Sequence, residues 1–193
     1  MMTRRNNFNH IHILGAPGSG ATTLGKALAE RLGFSHFDTD DYYWFTADAL
    51  PYRRKRNPDH RRQLLQKDLE QSEAWVLSGA LCGWGDVFIP TFDFVIYLWL
   101  PPDIRLARIR EREAQRYEAQ RLGADGDLHI VFEKFLNWAA AYDDVSKNKR
   151  SRASESHWLH KLACPVLNIS EEMPLNALVD CVLEESQRIN HTP

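Results

Sequence analysis

The stretch that decides the fold is Ile11-His12-Ile13-Leu14-Gly15-Ala16-Pro17-Gly18-Ser19-Gly20-Ala21-Thr22-Thr23-Leu24. Ile11 to Leu14 reads as a short apolar strand ending at Gly15. From about Thr22, Leu24, Ala27, Leu28 and Leu32 fall on one side of a helix that Gly33 stops. Between the two, small residues leave backbone N–H groups free to turn inward at a helix N-terminus, with no bulky side chain crowding an anion. Gly15, Pro17, Gly18, Ser19 and Gly20 are therefore assigned to a phosphate-binding loop that runs into Ala21. The Thr22 hydroxyl lies where it can reach Mg²⁺. A plain strand-to-helix turn needs no such density of small residues.

The motif wants a lysine where this chain has Ala21. That lysine would place a full charge on the β- and γ-phosphates, where charge shifts during transfer. Lys26 is a poor stand-in, because five residues on a helix is about 140° around and roughly 7.5 Å along its axis. Nucleotide binding is thus more directly supported than catalysis.

Outward from the loop, short apolar runs alternate with helical patterns, the mark of βαβ units and a parallel sheet. Phe34–Phe37 is a second strand running into Asp38-Thr39-Asp40-Asp41. Asn57-Pro58-Asp59 opens a helix with a cap, a first-turn proline and an acid. Trp75–Leu77 and Phe94–Leu100 are strands three and four. An Arg-rich helix runs from Asp103 to about Leu122, and another carries Val131, Phe135, Trp138 and Tyr142. Pro165–Ile169 is strand five, and a helix from Leu175 closes the chain. This predicts a three-layer α/β domain, a doubly wound five-stranded parallel sheet spanning residues 1–193, with ligands outside the carboxyl ends of the strands.

Composition narrows the function. The 193 residues are 44% hydrophobic and 26% charged, ordinary for one globular domain. Net charge is −2, without the basic balance that nucleic-acid binding requires, so no nucleic-acid partner is expected. The cluster Arg53-Arg54-Lys55-Arg56 is instead a solvated loop or a pocket for a small anion. Three cysteines without metal-ligand spacing, no apolar run long enough for a bilayer and no visible secretory signal point to the cytoplasm and no membrane. Oligomeric state has no signature here.

These residues resemble the small P-loop kinases: adenylate kinase, shikimate kinase, gluconate kinase and their relatives. The similarity covers nearly the whole chain. The adenylate kinase loop is similar to GAPGSG followed by Lys-Gly-Thr, where this chain has Ala21-Thr22-Thr23. The resemblance implies a P-loop NTPase fold using ATP and Mg²⁺, with an acceptor-binding segment at about 40–73 and a lid at about 108–152. Phe37-Asp38-Thr39-Asp40 resembles the Asp-x-Asp of shikimate kinase, which implies that Asp38 supports the metal with Thr22 and that Asp40 holds the acceptor. The alternative for this run is a turn with a helix cap. Gly79 falls where relatives contact the acceptor, although a Walker B carboxylate is missing beside it. Arg108 and Arg112 match the arginines that pack on the base and reach the transferred phosphate. Arg105, Arg110 and Arg116 read as solvated-face charges.

Bland readings stand beside the weaker signals. His10 and His12 share a strand face and, with no third ligand, read as satisfied histidines. Tyr42-Tyr43-Trp44-Phe45 could stack a ring or pack under a loop. Trp84 and Asp86 could line the acceptor pocket or form a buried turn. The expected function is ATP-dependent phosphotransfer by Asp40 and Arg112 to a small anionic acceptor, with Arg53, Arg54, Asp38, Asp40 and Gly79 on the acceptor side. The rival is a non-catalytic nucleotide-binding sensor or scaffold, and the sequence leaves ATP against GTP open.

Overall fold

Strand β1 (His10–Gly15) is buried on both faces, and its alternation sorts the protein into layers. Ile11 and Ile13 face one way, into a core shared with Leu24 and Leu28 of helix α1 (Ala21–Leu32) and Val179 and Val182 of the C-terminal helix. Leu14 faces the other way, into a core with Leu65, Leu69, Trp84 and Trp158. Strands with two buried faces belong to parallel sheets covered on both sides by helices. A computed structural model describes residues 8–45, 52, 54–144 and 150–190.

The remaining strands are β2 (Ser35–Asp38), β3 (Trp75–Ser78), β4 (Phe94–Leu98) and β5 (Val166–Ile169). The sheet order is β2-β3-β1-β4-β5 and every pairing is parallel. The five-stranded, doubly wound α/β expectation holds. Registers such as His10 opposite Trp75 and Ile11 opposite Phe94 bring the strand ends that follow Gly15, Asp38 and Ser78 to one edge.

The other helices are α2 (Thr39–Tyr43), α3 (Pro58–Glu70), α4 (Pro102–Arg116), α5 (Ala119–Leu122), α6 (His129–Ala140), α7 (Arg152–Leu159) and α8 (Leu175–Asn190). The Asn57 side chain caps α3 by accepting from Asp59 N, as Asn-Pro-Asp predicts. Three details differ from the sequence reading. The Arg-rich helix ends at Arg116 because Tyr117 and Glu118 turn extended, so the residues up to Leu122 form a separate short helix. Helix α7, held by a reciprocal Ser151/Ser154 capping box, and the 3-10 turn Asp86–Thr91 were not foreseen. On α6 the buried face is Leu136 and Ala139, while Val131 is exposed and Tyr142 is buried in the turn beyond.

The largest correction concerns Arg105. Expected on a solvated face, it is fully buried. Its Nε donates to Leu100 O at 2.7 Å. Its Nη1 donates to Pro17 O at 3.2 Å and Ala139 O at 3.3 Å, and its Nη2 to Asp143 at 2.6 Å. One planar fork thus ties α4, the loop after β1 and the end of α6 together.

Candidate active site

The loop after β1 ends at Gly20, the N-cap of α1, at φ +100° in the left-handed region that glycine adopts without strain. No side chain caps α1 and no acid occupies its first turn, so its leading N–H groups face open space with the helix dipole behind them. A Cβ built on Gly20 would stand 3.7 Å from Arg108 and would project into that space. This concave, donor-rich backbone fits a phosphate chain. Ala21 carries no charge and packs against the core below.

Around the loop, Pro17 O is held by Arg105, and Ser19 O accepts from Arg108 Nη1 at 3.4 Å. Arg108 Nη2 reaches Glu172, beyond β5, at 2.8 Å. Arg108 therefore spans the gap between loop and sheet edge. The Ser19 hydroxyl is buried with no hydrogen-bond partner among the described residues, against a cavity of about 20 Å³ that Arg108, Leu98 and Ile169 help to line.

Asp38 ends β2 and meets three elements. One oxygen accepts from Thr22 Oγ1 at 2.7 Å and from Ser78 Oγ at 3.3 Å. The other accepts from Asp40 N at 2.9 Å and so caps α2. The two readings of this run, metal-side carboxylate and helix cap, use different oxygens of one side chain. His36 stands behind, with Nε2 3.0 Å from Ser78 Oγ. Burial lowers its pKa, partly countered by Asp38. A hydroxyl and a carboxylate at this spacing suit Mg²⁺, which takes few protein ligands and keeps waters and phosphate oxygens. Among the described residues no group of three His, Cys, Asp or Glu could hold a metal.

Asp40 follows in α2, accessible to solvent but crowded by protein. Loss of hydration, then the Asp38 charge, push its pKa up to about 6, against the pull of Arg150 and the Trp44 indole. Gly79 closes over the motif from β3 at φ +106°, and a Cβ there would lie 2.0 Å from Thr39 Oγ1. Asp38, Asp40, Thr22 and Gly79 thus converge beside the loop. Arg112 does not join them. It is exposed and pairs with Glu113 through Nε and Nη2.

Arg54 stacks 4.1 Å from the Phe45 ring, and Arg53 lies outside the described residues. Arg56 is structural, donating to the carbonyls of Asp41, Tyr42 and Trp44. Behind the aromatic run, buried Arg61 lies 3.6 Å from the Tyr43 ring and 5.8 Å from that of Trp84. Trp84 is buried, while Asp86 is partly exposed and accepts from Trp158 and Lys161. The sequence reading missed Arg61 and Arg150. Arg150 donates from Nη2 to Gly15 O at 2.8 Å and from Nε to buried Glu155 at 2.7 Å.

The comparisons with known proteins agree with this fold. A family model described as "AAA domain" matches residues 11–129, from β1 into α6. A cytidylate kinase of Archaeoglobus fulgidus is 30% identical over 66% of this chain and 74% of its own length. The chain belongs to the P-loop nucleotide and small-molecule kinase family. It is also 49% identical to the uncharacterized protein YqaC of Bacillus subtilis, over 91% of this chain and 96% of that one. Its fold is that of shikimate kinase from Acinetobacter baumannii, solved with shikimate, at a TM-score of 0.59, 17% identity and 97% coverage of both chains. No helix among the described residues is long and apolar enough to cross a membrane.

Proposed function

We propose that this kinase-family chain transfers the γ-phosphoryl group of ATP to a nucleotide or another small anionic metabolite. The observation that carries the reading is the meeting of Thr22 and Asp38 at 2.7 Å beside the open N-terminus of α1, with Asp40 next in line. The loop from Gly15 to Gly20, with Thr22 and Thr23, takes the triphosphate, and Arg108 takes the base. Thr22 and Asp38 would hold Mg²⁺, which when bound would neutralise charge on the phosphate oxygens. Asp40, Gly79 and Arg54, with Arg53, receive the acceptor in the segment at about 40–73, and Arg112 stays on the side of the lid at about 108–152, paired with Glu113. The relatives named cytidylate kinase favour a nucleotide acceptor, and those named shikimate kinase a carboxylated one. Both are anionic.

In the transfer, an acceptor oxygen forms a bond to the γ-phosphorus while the bond from that phosphorus to the bridging oxygen breaks. The electron pair leaves on the diphosphate. A hydroxyl acceptor gives its proton to Asp40, whose pKa of about 6 leaves it largely ionised near neutrality yet able to accept a proton.

The test is ADP or GDP release with either triphosphate, across nucleoside monophosphates and carboxylated metabolites, in wild type and Thr22→Val. Stimulation by one acceptor, lost in Thr22→Val, is expected. Tight MgATP binding with no acceptor-stimulated release would instead make the chain a nucleotide-binding module, the outcome Ala21 would favour.

A further inference from the structure

A triphosphate cradle needs a cation on its β- and γ-oxygens, and position 21 provides none. A lysine there would extend from the first residue of α1 back toward the helix N-terminus and the loop that precedes it. We propose that Arg150, 135 residues beyond Gly15 and with its guanidinium 2.8 Å from Gly15 O, supplies the phosphate-binding charge that Ala21 lacks. The activity arm of this proposal rests on the phosphotransfer reading, whereas its binding arm does not.

The surroundings of Arg150 are built to hold a charge in that place. Its Nε donates to Glu155, which is fully buried on α7, and Tyr142 donates to the second Glu155 oxygen. The Tyr142 hydroxyl is also 3.0 Å from that of Tyr97 on β4, so the chain of contacts runs into the sheet. The Trp138 ring lies 5.8 Å from the guanidinium. Loss of hydration works against the charge on Arg150, and the Glu155 carboxylate, with Tyr142 and Cys82, outweighs it, leaving its pKa above the ordinary value. Only two of the five N–H groups are used by Gly15 and Glu155, and the side chain keeps partial exposure. Among the described residues the others make no further hydrogen bond, so they remain for a ligand oxygen.

Competing cations are engaged elsewhere. Arg112 is paired with Glu113, Arg105 is committed to three carbonyls and Asp143, and Arg108 bridges Ser19 and Glu172. A guanidinium also suits the role, since its planar fork can hold a carbonyl on one edge and phosphate oxygens on another.

The test uses the full chain and two probes, MgATP and inorganic tripolyphosphate, by calorimetry, with acceptor-stimulated turnover where an acceptor is known. Arg150→Ala should weaken both probes by at least about tenfold, the scale of one lost charge-assisted contact. Ala21→Lys should restore most of that loss in the Arg150→Ala background. In wild type it should gain less than about threefold, because two cations cannot both occupy the mouth of one loop. Should Arg150→Ala fail to fold with Glu155 left bare, Arg150→Ala/Glu155→Gln removes the unpaired buried charge, and the same rescue is read there. Binding within about twofold of wild type without Arg150, no rescue, or an equal gain from Ala21→Lys in both backgrounds would each overturn the proposal. Absent turnover with intact binding effects would sink only the phosphotransfer reading.

Discussion

Replacing Arg105 by Leu tests whether one buried guanidinium holds the phosphate loop to its neighbours. The substitution strips charged donors from Leu100 O, Pro17 O and Ala139 O, and among the described residues leaves Asp143 with only the Trp99 indole at 2.7 Å. Each charge-assisted bond is worth about 1.5–3 kcal/mol, but removing the guanidinium also recovers its desolvation cost of several kcal/mol. Breaking a buried pair from one side leaves a net loss of about 3–5 kcal/mol. For a chain of this size that lowers Tm by about 10 °C. Urea denaturation should show a lower midpoint with an unchanged slope, since the surface exposed on unfolding barely changes. Arg105→Lys should lose about half as much, because an ammonium cannot span carbonyls on three segments. A loss below about 1 kcal/mol for Arg105→Leu would refute the reasoning, because it would mean the four contacts only offset desolvation.

Further outcomes follow from the site and core. Gly79→Ala should cost about 2–4 kcal/mol in denaturation and raise acceptor KM, because φ is +106° and its Cβ would stand 2.0 Å from the hydroxyl of buried Thr39. If Asp40 is the base, log kcat should rise with unit slope below about pH 6 and level off above it, and Asp40→Asn should abolish that limb. His12 donates from Nδ1 to Leu77 O, stacks on Phe92 and leaves Nε2 without a partner, so burial holds its pKa at about 4 against 6.5 unfolded. Unfolding then takes up a proton in that window, and stability falls as pH drops from 6.5 to 4. The stability difference between wild type and His12→Asn should shift by about 3 kcal/mol across it, measured by urea midpoints at each pH. A constant difference would mean His12 is charged or solvated in the native state.

The sheet and the loop were legible because their signals are local. Apolar runs of four to six residues and glycines at fixed spacing dictate backbone conformation wherever they occur, and the Asn57 cap and Gly33 stop act within one turn. The convergence of Asp38 with Thr22 was also legible, since a strand-two end and a loop after strand one must share an edge in this topology. What stayed hidden depends on long-range pairing. Nothing near Arg150 in sequence announces that it will lie against Gly15, 135 residues away. Arg105 did carry a faint signal, because Arg105, Ile109 and Glu113 repeat at four-residue spacing and form the buried face of α4. The Arg-dense composition of that helix masked it. His12 is a half-miss: its Nδ1 is satisfied as expected, and its Nε2 is not.

The central position of β1 has a consequence for how the chain is made. Both of its neighbours are synthesised long after it: His12 meets Leu77 65 residues later, and His10 meets Asp93 83 residues later. At about 5–20 residues per second, β1 emerges several seconds before either flanking strand exists. Its apolar face must stay unpaired, or shielded by chaperones, over that interval. The phosphate loop is made long before two of the side chains that hold it. Pro17 waits 88 residues for Arg105, and Gly15 waits 135 for Arg150. A chain that stops before residue 150 therefore lacks the guanidinium on Gly15 O, so any gain in stability that a ligand draws from that contact waits until residue 150 has been made.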